Sequence, residues 1–171
     1  MISLRPETPL DYEAIDELLI LAFAFDAHSK LNESKIVREL RHRGECTLSY
    51  VACLEDGEVV GQILFSPVTI HDGSQKDITG WVALGPMSVN PRLQRMGIGR
   101  KLMDIGLLKI REMGTEGCVV LGEPGFYQHF GFRSYEDLIL PGALAPYFLA
   151  QPFKGAVPSG NVSYDESFNS I

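Results

Sequence analysis

The chain has 171 residues, the length of one domain with a sizeable core, so residues 1–171 are expected to form a single domain. Hydrophobic residues make up 45% and charged residues 22%, which excludes a disordered, collagen-like or disulfide-built chain. Lys and Arg number 15 against 22 Asp and Glu, and the net charge of −7 argues against a nucleic-acid partner, because phosphate binding needs clustered Lys and Arg.

Thr8-Pro9-Leu10-Asp11 reads as a helix start, with a capping residue, a first-turn proline and an acid that suits the helix dipole. Ile15, Leu18, Leu19, Ala22 and Phe23 then recur at helical spacing. Ser34 to Arg43 predicts a shorter helix with Ile36, Val37 and Leu40 on one face. Extended runs at Leu48–Leu54 and Val59–Ile70 flank the hairpin signal Asp56-Gly57. Asp72-Gly73 is a second such signal and leads to Trp81–Leu84. Gly61 and Gly85, inside strand patterns, predict bulges or a close backbone approach. Gly97 to Met113 returns to helical periodicity, and Cys118–Leu121 suits a buried strand. A brief helix is expected around Phe126–Phe130, then a strand from Phe132. The Pro- and Gly-rich tail after Pro141 predicts a last strand with ordered coil. The alternation of helices and strands gives a mixed α/β fold.

Cys46, Cys53 and Cys118 are too few for a disulfide framework, and neither C-x-x-C nor H-E-x-x-H occurs, so no metal is expected. An odd cysteine count fits a reducing compartment, and a cytoplasmic location is expected. The N-terminus has no apolar signal core. No apolar run approaches the roughly 18 residues that span a membrane, so no membrane partner is expected.

The informative stretch is Leu84-Gly-Pro-Met-Ser-Val-Asn-Pro-Arg-Leu-Gln-Arg-Met-Gly-Ile-Gly-Arg-Lys-Leu-Met103. It reads strand, turn, glycine-bearing loop, helix. Unpaired N–H groups at such a helix start, with the dipole behind them, form a site for a phosphate or pyrophosphate. Arg95 and Arg100 add charge-assisted contacts. The P-loop string is absent, and the dinucleotide fingerprint fails because Leu102 stands where its third glycine belongs. Gln94-Arg95-Met96-Gly97-Ile98-Gly99 fits [QR]-x-x-G-x-[GA], which resembles the acetyl-CoA pyrophosphate loop of the GNAT superfamily of N-acetyltransferases. A second block, Leu121-Gly-Glu-Pro-Gly-Phe-Tyr-Gln-His-Phe-Gly-Phe132, is similar to the GNAT pattern in which a tyrosine, here Tyr127, stands four residues before Gly-Phe. The opening Leu4-Arg5-Pro6-Glu7 and the tail Val162-Ser163-Tyr164 before Phe168 extend the resemblance over nearly the whole chain.

The resemblance implies a mixed, mostly antiparallel sheet of six or seven strands flanked by helices and splayed between the fourth and fifth strands. It implies acetyl-CoA as co-substrate and an amine acceptor, either a small molecule or a peptide. It places the pantetheine arm against Met87, Ser88 and Val89, with the Val89 N–H facing the acetyl carbonyl. The pyrophosphate falls to Gln94, Arg95, Met96, Gly97, Ile98, Gly99 and Arg100. Tyr127 becomes the acid for the departing thiolate, a hydrogen-bond donor more than a full proton donor, since a phenol titrates near ~10 and a thiol near ~8.5. Phe126 is expected to pack, and His129 to be exposed. The base stays open among Asp77, Glu45, Glu123, a water chain and an amine that arrives unprotonated, because Gly80 to Val89 holds no acid. Trp81 suits an acceptor pocket or the core equally. A non-catalytic acyl-CoA sensor of the same fold is the rival reading. Exposed edges of a splayed sheet leave a homodimer open.

Overall fold

The computed structural model describes residues 1–169. In chain order the elements are β1 (Ser3–Pro6), α1 (Tyr12–Phe23), α2 (Glu33–His42), β2 (Leu48–Cys53), β3 (Val59–His71), β4 (Ile78–Val89), α3 (Ile98–Glu112), β5 (Gly117–Leu121), α4 (Pro124–Tyr127), β6 (Leu138–Ile139), β7 (Phe148–Pro152) and β8 (Gly160–Tyr164). One sheet runs β1-β2-β3-β4-β5-β7. β8 lies beside the second half of β3, on the edge that β2 leaves free, and two-residue β6 pairs with β8. Only β4–β5 and β6–β8 are parallel. Six or seven strands are expected; the main path has six, and the two attached to its side bring the sheet to eight.

The first half of β3 is buried because helices cover both faces of the sheet there, while Val68 and Ile70 are buried in a layer made by β4–β8. Ile15, Leu19, Ile36, Val37 and Leu40 of α1 and α2 pack on Val51, Cys53 and Leu64. On the other face, Ile98, Leu102, Met103 and Ile110 of α3 pack on Tyr50, Ile63 and Phe65. Gly61 is the close approach that its place in the strand predicts. A Cβ there would stand 3.0 Å from Leu102 Cδ1 and 3.1 Å from Ile98 Cγ2, so a larger residue would push α3 off the sheet. The expected helix start is a 3-10 turn, Pro9–Asp11, that runs into α1. Its buried Asp11 carboxylate accepts from the Thr8 N–H at 2.7 Å and from two Arg5 nitrogens at 2.7 and 2.9 Å, tying β1 to the helix.

Two expectations need correction. No strand starts at Phe132. Gly131 turns the chain at φ +94°, Phe132 drops into the core beside α3, and only an isolated bridge joins Arg133 to Ala150. The tail forms two strands where one was expected, because two strand edges are there to be paired: Phe148–Pro152 covers β5 and Gly160–Tyr164 covers the second half of β3.

The functional geometry begins at a change within β4. Trp81 to Leu84 pair with β3 on one side and with Gly117 to Val120 of β5 on the other. Beyond Leu84 the pairing with β5 stops, while β4 continues along β3 as far as Val89 opposite Gly61. The register with β3 slips at this point, because Leu84 faces Phe65 but Met87 faces Ile63. Gly85 and Pro86 together oppose Leu64, which is a bulge, and bulges turn a strand away from its neighbour. Gly85 has φ +145°, a conformation that favours glycine. The sheet therefore opens between the ends of β4 and β5.

Candidate active site

A cleft of about 690 Å³ lies at this opening. Its walls are the end of α1, the last residues of β4, the loop into α3, and Phe126. Met87, Ser88, Val89, Gln94, Arg95, Gly97, Ile98, Gly99 and Arg100 all line it. Met96 does not. Its side chain is 68% exposed and faces solvent.

The loop is shaped by two left-handed residues, Arg95 at φ +67° and Gly97 at φ +85°. A non-glycine residue in this region is uncommon, and alternation of backbone handedness turns successive N–H groups toward one point. A Cβ on Gly97 would meet nothing within 4 Å, and one on Gly99 only Val89 Cγ2 at 3.9 Å. Neither glycine is required by packing. The space their missing side chains leave belongs to the cleft, at the N-terminus of the fifteen-residue helix α3. The loop is held in place from β4. Asn90, buried at its start, bonds through its N–H to the Val60 carbonyl at 2.8 Å and accepts from the Arg92 N–H at 3.0 Å. Gln94 Nε2 donates to the Val89 carbonyl at 3.2 Å. Arg100 stands over the Phe130 ring at 5.7 Å. Among the described residues neither Arg95 nor Arg100 has an ion-pair partner, so both cations are available to an anion.

Tyr127 occupies the β5 side of the opening. It does not line the cleft itself; Phe126, edge-on to it at 5.0 Å, does. The Tyr127 ring lies over Gly122, where a Cβ would collide with it, and against Phe132 at 5.9 Å. No described residue hydrogen-bonds its hydroxyl. Burial pushes the phenol up to about 12, so it is held neutral, with its proton in place.

The candidate bases fare differently. Asp77 is bonded to His71 Nδ1 at 2.8 Å, at the distal end of the β3–β4 hairpin. Glu45 follows α2, and Glu123 is exposed before α4. None of the three lines the cleft, whereas Asp26, just past α1, does. Sequence reading missed Asp26 because it looks like a loop residue after an apolar helix. Trp81 is core: 3% exposed, with its ring over Gly117. His129 is exposed, as expected.

Sequence reading also missed Gln62, a polar side chain with no exposure on β3. It faces Ser88 across the ladder. None of the three cysteines lines the cleft. Burial, with the nearby Glu7 charge, pushes Cys46 up to about 11, and burial pushes Cys118 up as well. Among the described residues no three His, Cys, Asp or Glu gather as metal ligands, and no helix is long and apolar enough to cross a membrane.

Comparison with known proteins follows the same lines. The acetyltransferase (GNAT) domain model matches residues 47–134. The uncharacterized N-acetyltransferase YhbS of Escherichia coli K12 is 36% identical over 97% of this chain and 98% of its own length. A GNAT family acetyltransferase from Brucella melitensis, solved in complex with acetyl-CoA, is 40% identical, covers 98% of both chains and superposes with a TM-score of 0.84. The crystal structure of E. coli YhbS in complex with CoA is 32% identical, covers 99% of this chain and 93% of its own, and gives 0.86. A backbone cradle at the start of α3, a sheet opened beside it and relatives matched end to end agree: the chain belongs to the GNAT family of acetyltransferases, enzymes of acyl transfer.

Proposed function

We propose that this protein is an acetyl-CoA-dependent N-acetyltransferase that passes the acetyl group directly to a primary amine within a ternary complex, and that residues 1–171 form one such domain. The observation that carries the reading is the backbone cradle at Arg95–Arg100, continuous with the open edge of β4. The pyrophosphate of acetyl-CoA sits on the N–H groups at the start of α3, with Arg95 and Arg100 beside it. The pantetheine arm runs along Met87–Val89 and takes the backbone partners that β5 no longer supplies. This brings the thioester to the mouth of the opening. The amine nitrogen attacks the carbonyl carbon, and the Val89 N–H supports the oxyanion. The new C–N bond forms and the nitrogen gives up its extra proton to solvent, the C–S bond breaks, and the departing thiolate, held by a hydrogen bond from the Tyr127 hydroxyl, takes up a proton from solvent. Asp26 faces the same cleft and favours an acceptor that arrives as a cation. Its carboxylate, the one acid among the described residues that line the cleft, is an acceptor for the proton the ammonium must lose. The three unpaired cysteines suit work in the reducing cytoplasm.

The test is a panel of amines (small polyamines, amino acids and short peptides) mixed with acetyl-CoA and read by release of free thiol. Thiol release that depends on one class of amine supports the reading. Tight acetyl-CoA binding with no release across the panel identifies the sensor instead.

A further inference from the structure

Gln62 is the one fully buried amide on β3, at the level where β4 parts from β5. Its Nε2 donates to the Pro86 carbonyl at 3.0 Å and to Ser88 Oγ at 3.2 Å. Its own Oε1 is buried without a partner, which is costly in a protein interior. An apolar residue of the same shape would avoid that cost, so the amide answers to something other than packing.

The orientation of the amide is fixed by chemistry. Pro86 offers a carbonyl, which can only accept, so the group beside it must be the NH₂ end. That same NH₂ faces Ser88 Oγ, which makes the serine oxygen an acceptor. The hydroxyl hydrogen of Ser88 must then point elsewhere, and no described residue accepts it. Ser88 lines the cleft. The hydroxyl sits on the Cβ of Ser88 and the Val89 N–H on the peptide unit that follows, and both residues line the cleft on the open part of β4.

We infer that Gln62 is a positioning residue and Ser88 a catalytic one: Gln62 turns the Ser88 O–H into the cleft, where it is a second donor, beside the Val89 N–H, to the thioester carbonyl oxygen of acetyl-CoA. The inference rests on the reading that acetyl-CoA lies along Met87–Val89. A side-chain donor adds to the backbone donor as negative charge builds on that oxygen, and removal of one such donor from a preorganised site commonly costs about 10²–10³-fold in rate. The share of a hydroxyl that backs up a backbone N–H is expected at the low end or below, about tenfold or more in kcat.

The test needs no knowledge of the acceptor. Acetyl-CoA labelled with ¹³C at the thioester carbonyl is bound to the protein, and its carbonyl stretch is read by isotope-edited infrared difference spectroscopy. Two donors lower the frequency of the bound carbonyl relative to solution. Ser88→Ala is expected to bind acetyl-CoA within about twofold of the parent and to return the band part of the way. Gln62→Met, which keeps the shape but offers neither donor nor acceptor, is expected to broaden or partly reverse the shift in the parent. It should change nothing further when added to Ser88→Ala. An unchanged band in Ser88→Ala that still binds acetyl-CoA overturns the inference and leaves the parent reading standing. So does a Gln62→Met effect of the same size with and without Ser88, which marks Gln62 as structural only. Failure of the parent protein to bind acetyl-CoA overturns the parent reading, and the inference with it.

Discussion

The two halves of β4 are one continuous strand with opposite surroundings. Trp81–Leu84 are paired on both edges and buried on both faces. Gly85–Val89 are paired on one edge only, and three of them line the cleft. The switch between them is a two-residue bulge within one strand. A small local irregularity thus decides whether backbone polar groups hold the sheet together or are left for a ligand, since buried N–H and C=O groups must find some partner.

Substitutions in each half should separate stability from ligand handling. The largest effect is expected in the paired half. Trp81→Ala removes a buried ring from the layer that also holds Val68, Ala83 and Phe148, and should cost about 3–5 kcal/mol of unfolding free energy in a denaturant titration. Acetyl-CoA affinity of the remaining folded protein should be little changed. A weakened affinity with stability intact would show that the two halves do not act separately.

Next in size is Tyr127→Phe, across the opening. It keeps the ring over Gly122 and removes the hydroxyl. With an acceptor from the amine panel and chemistry rate-limiting, kcat should fall about 10²–10³-fold, the lower half of the usual range for acid assistance, with acetyl-CoA binding nearly unchanged. The phenol, pushed up to about 12 by burial, stays protonated well past its ordinary value near ~10. The ratio of parent to variant kcat should therefore stay level between about pH 7 and pH 10, and decline only as the phenol ionises above that. A variant within about twofold of the parent, only ~0.4 kcal/mol, would hand the acid role to water.

The smallest effect is expected at the loop. Gly97→Val places a β-branched residue at φ +85° and fills the open space that the proposed function gives to phosphate oxygens. Acetyl-CoA affinity by calorimetry should drop about tenfold or more, near 1.4 kcal/mol, with the fold retained. Unchanged affinity in a folded variant would move the pyrophosphate to another site.

Much of this contrast was legible in the sequence, and the rest was not, for physical reasons. Helix periods, hairpin glycines and the Gln94–Gly99 loop are local signals, and they placed α1–α3, β2–β5 and nine of the cleft residues near where they stand. Phe132 misled because an apolar residue after a glycine looks alike as a strand start or as a plug in the core. Asp77 and Glu45 do not line the cleft, one standing at the far end of the β3–β4 hairpin and the other just past α2, and spacing along the chain shows neither placement. Asp26 and Gln62 went unseen for the complementary reason. One looks like ordinary loop polarity. The other sits in an apolar run, and its meaning depends on a strand more than twenty residues away.

β8 has a bearing on how the protein is made. The stretch Val68–His71 of β3 gains its second neighbour only when Asn161–Tyr164 arrive. On the ribosome, about ninety residues are synthesised between those segments. Throughout that interval the nascent chain carries an unpaired strand edge with Val68 and Ile70 on its apolar face. Such edges template association between chains. A product cut short just before β8 holds every cleft residue and yet is expected to associate through that edge, so its soluble yield should fall although the chemistry lies elsewhere.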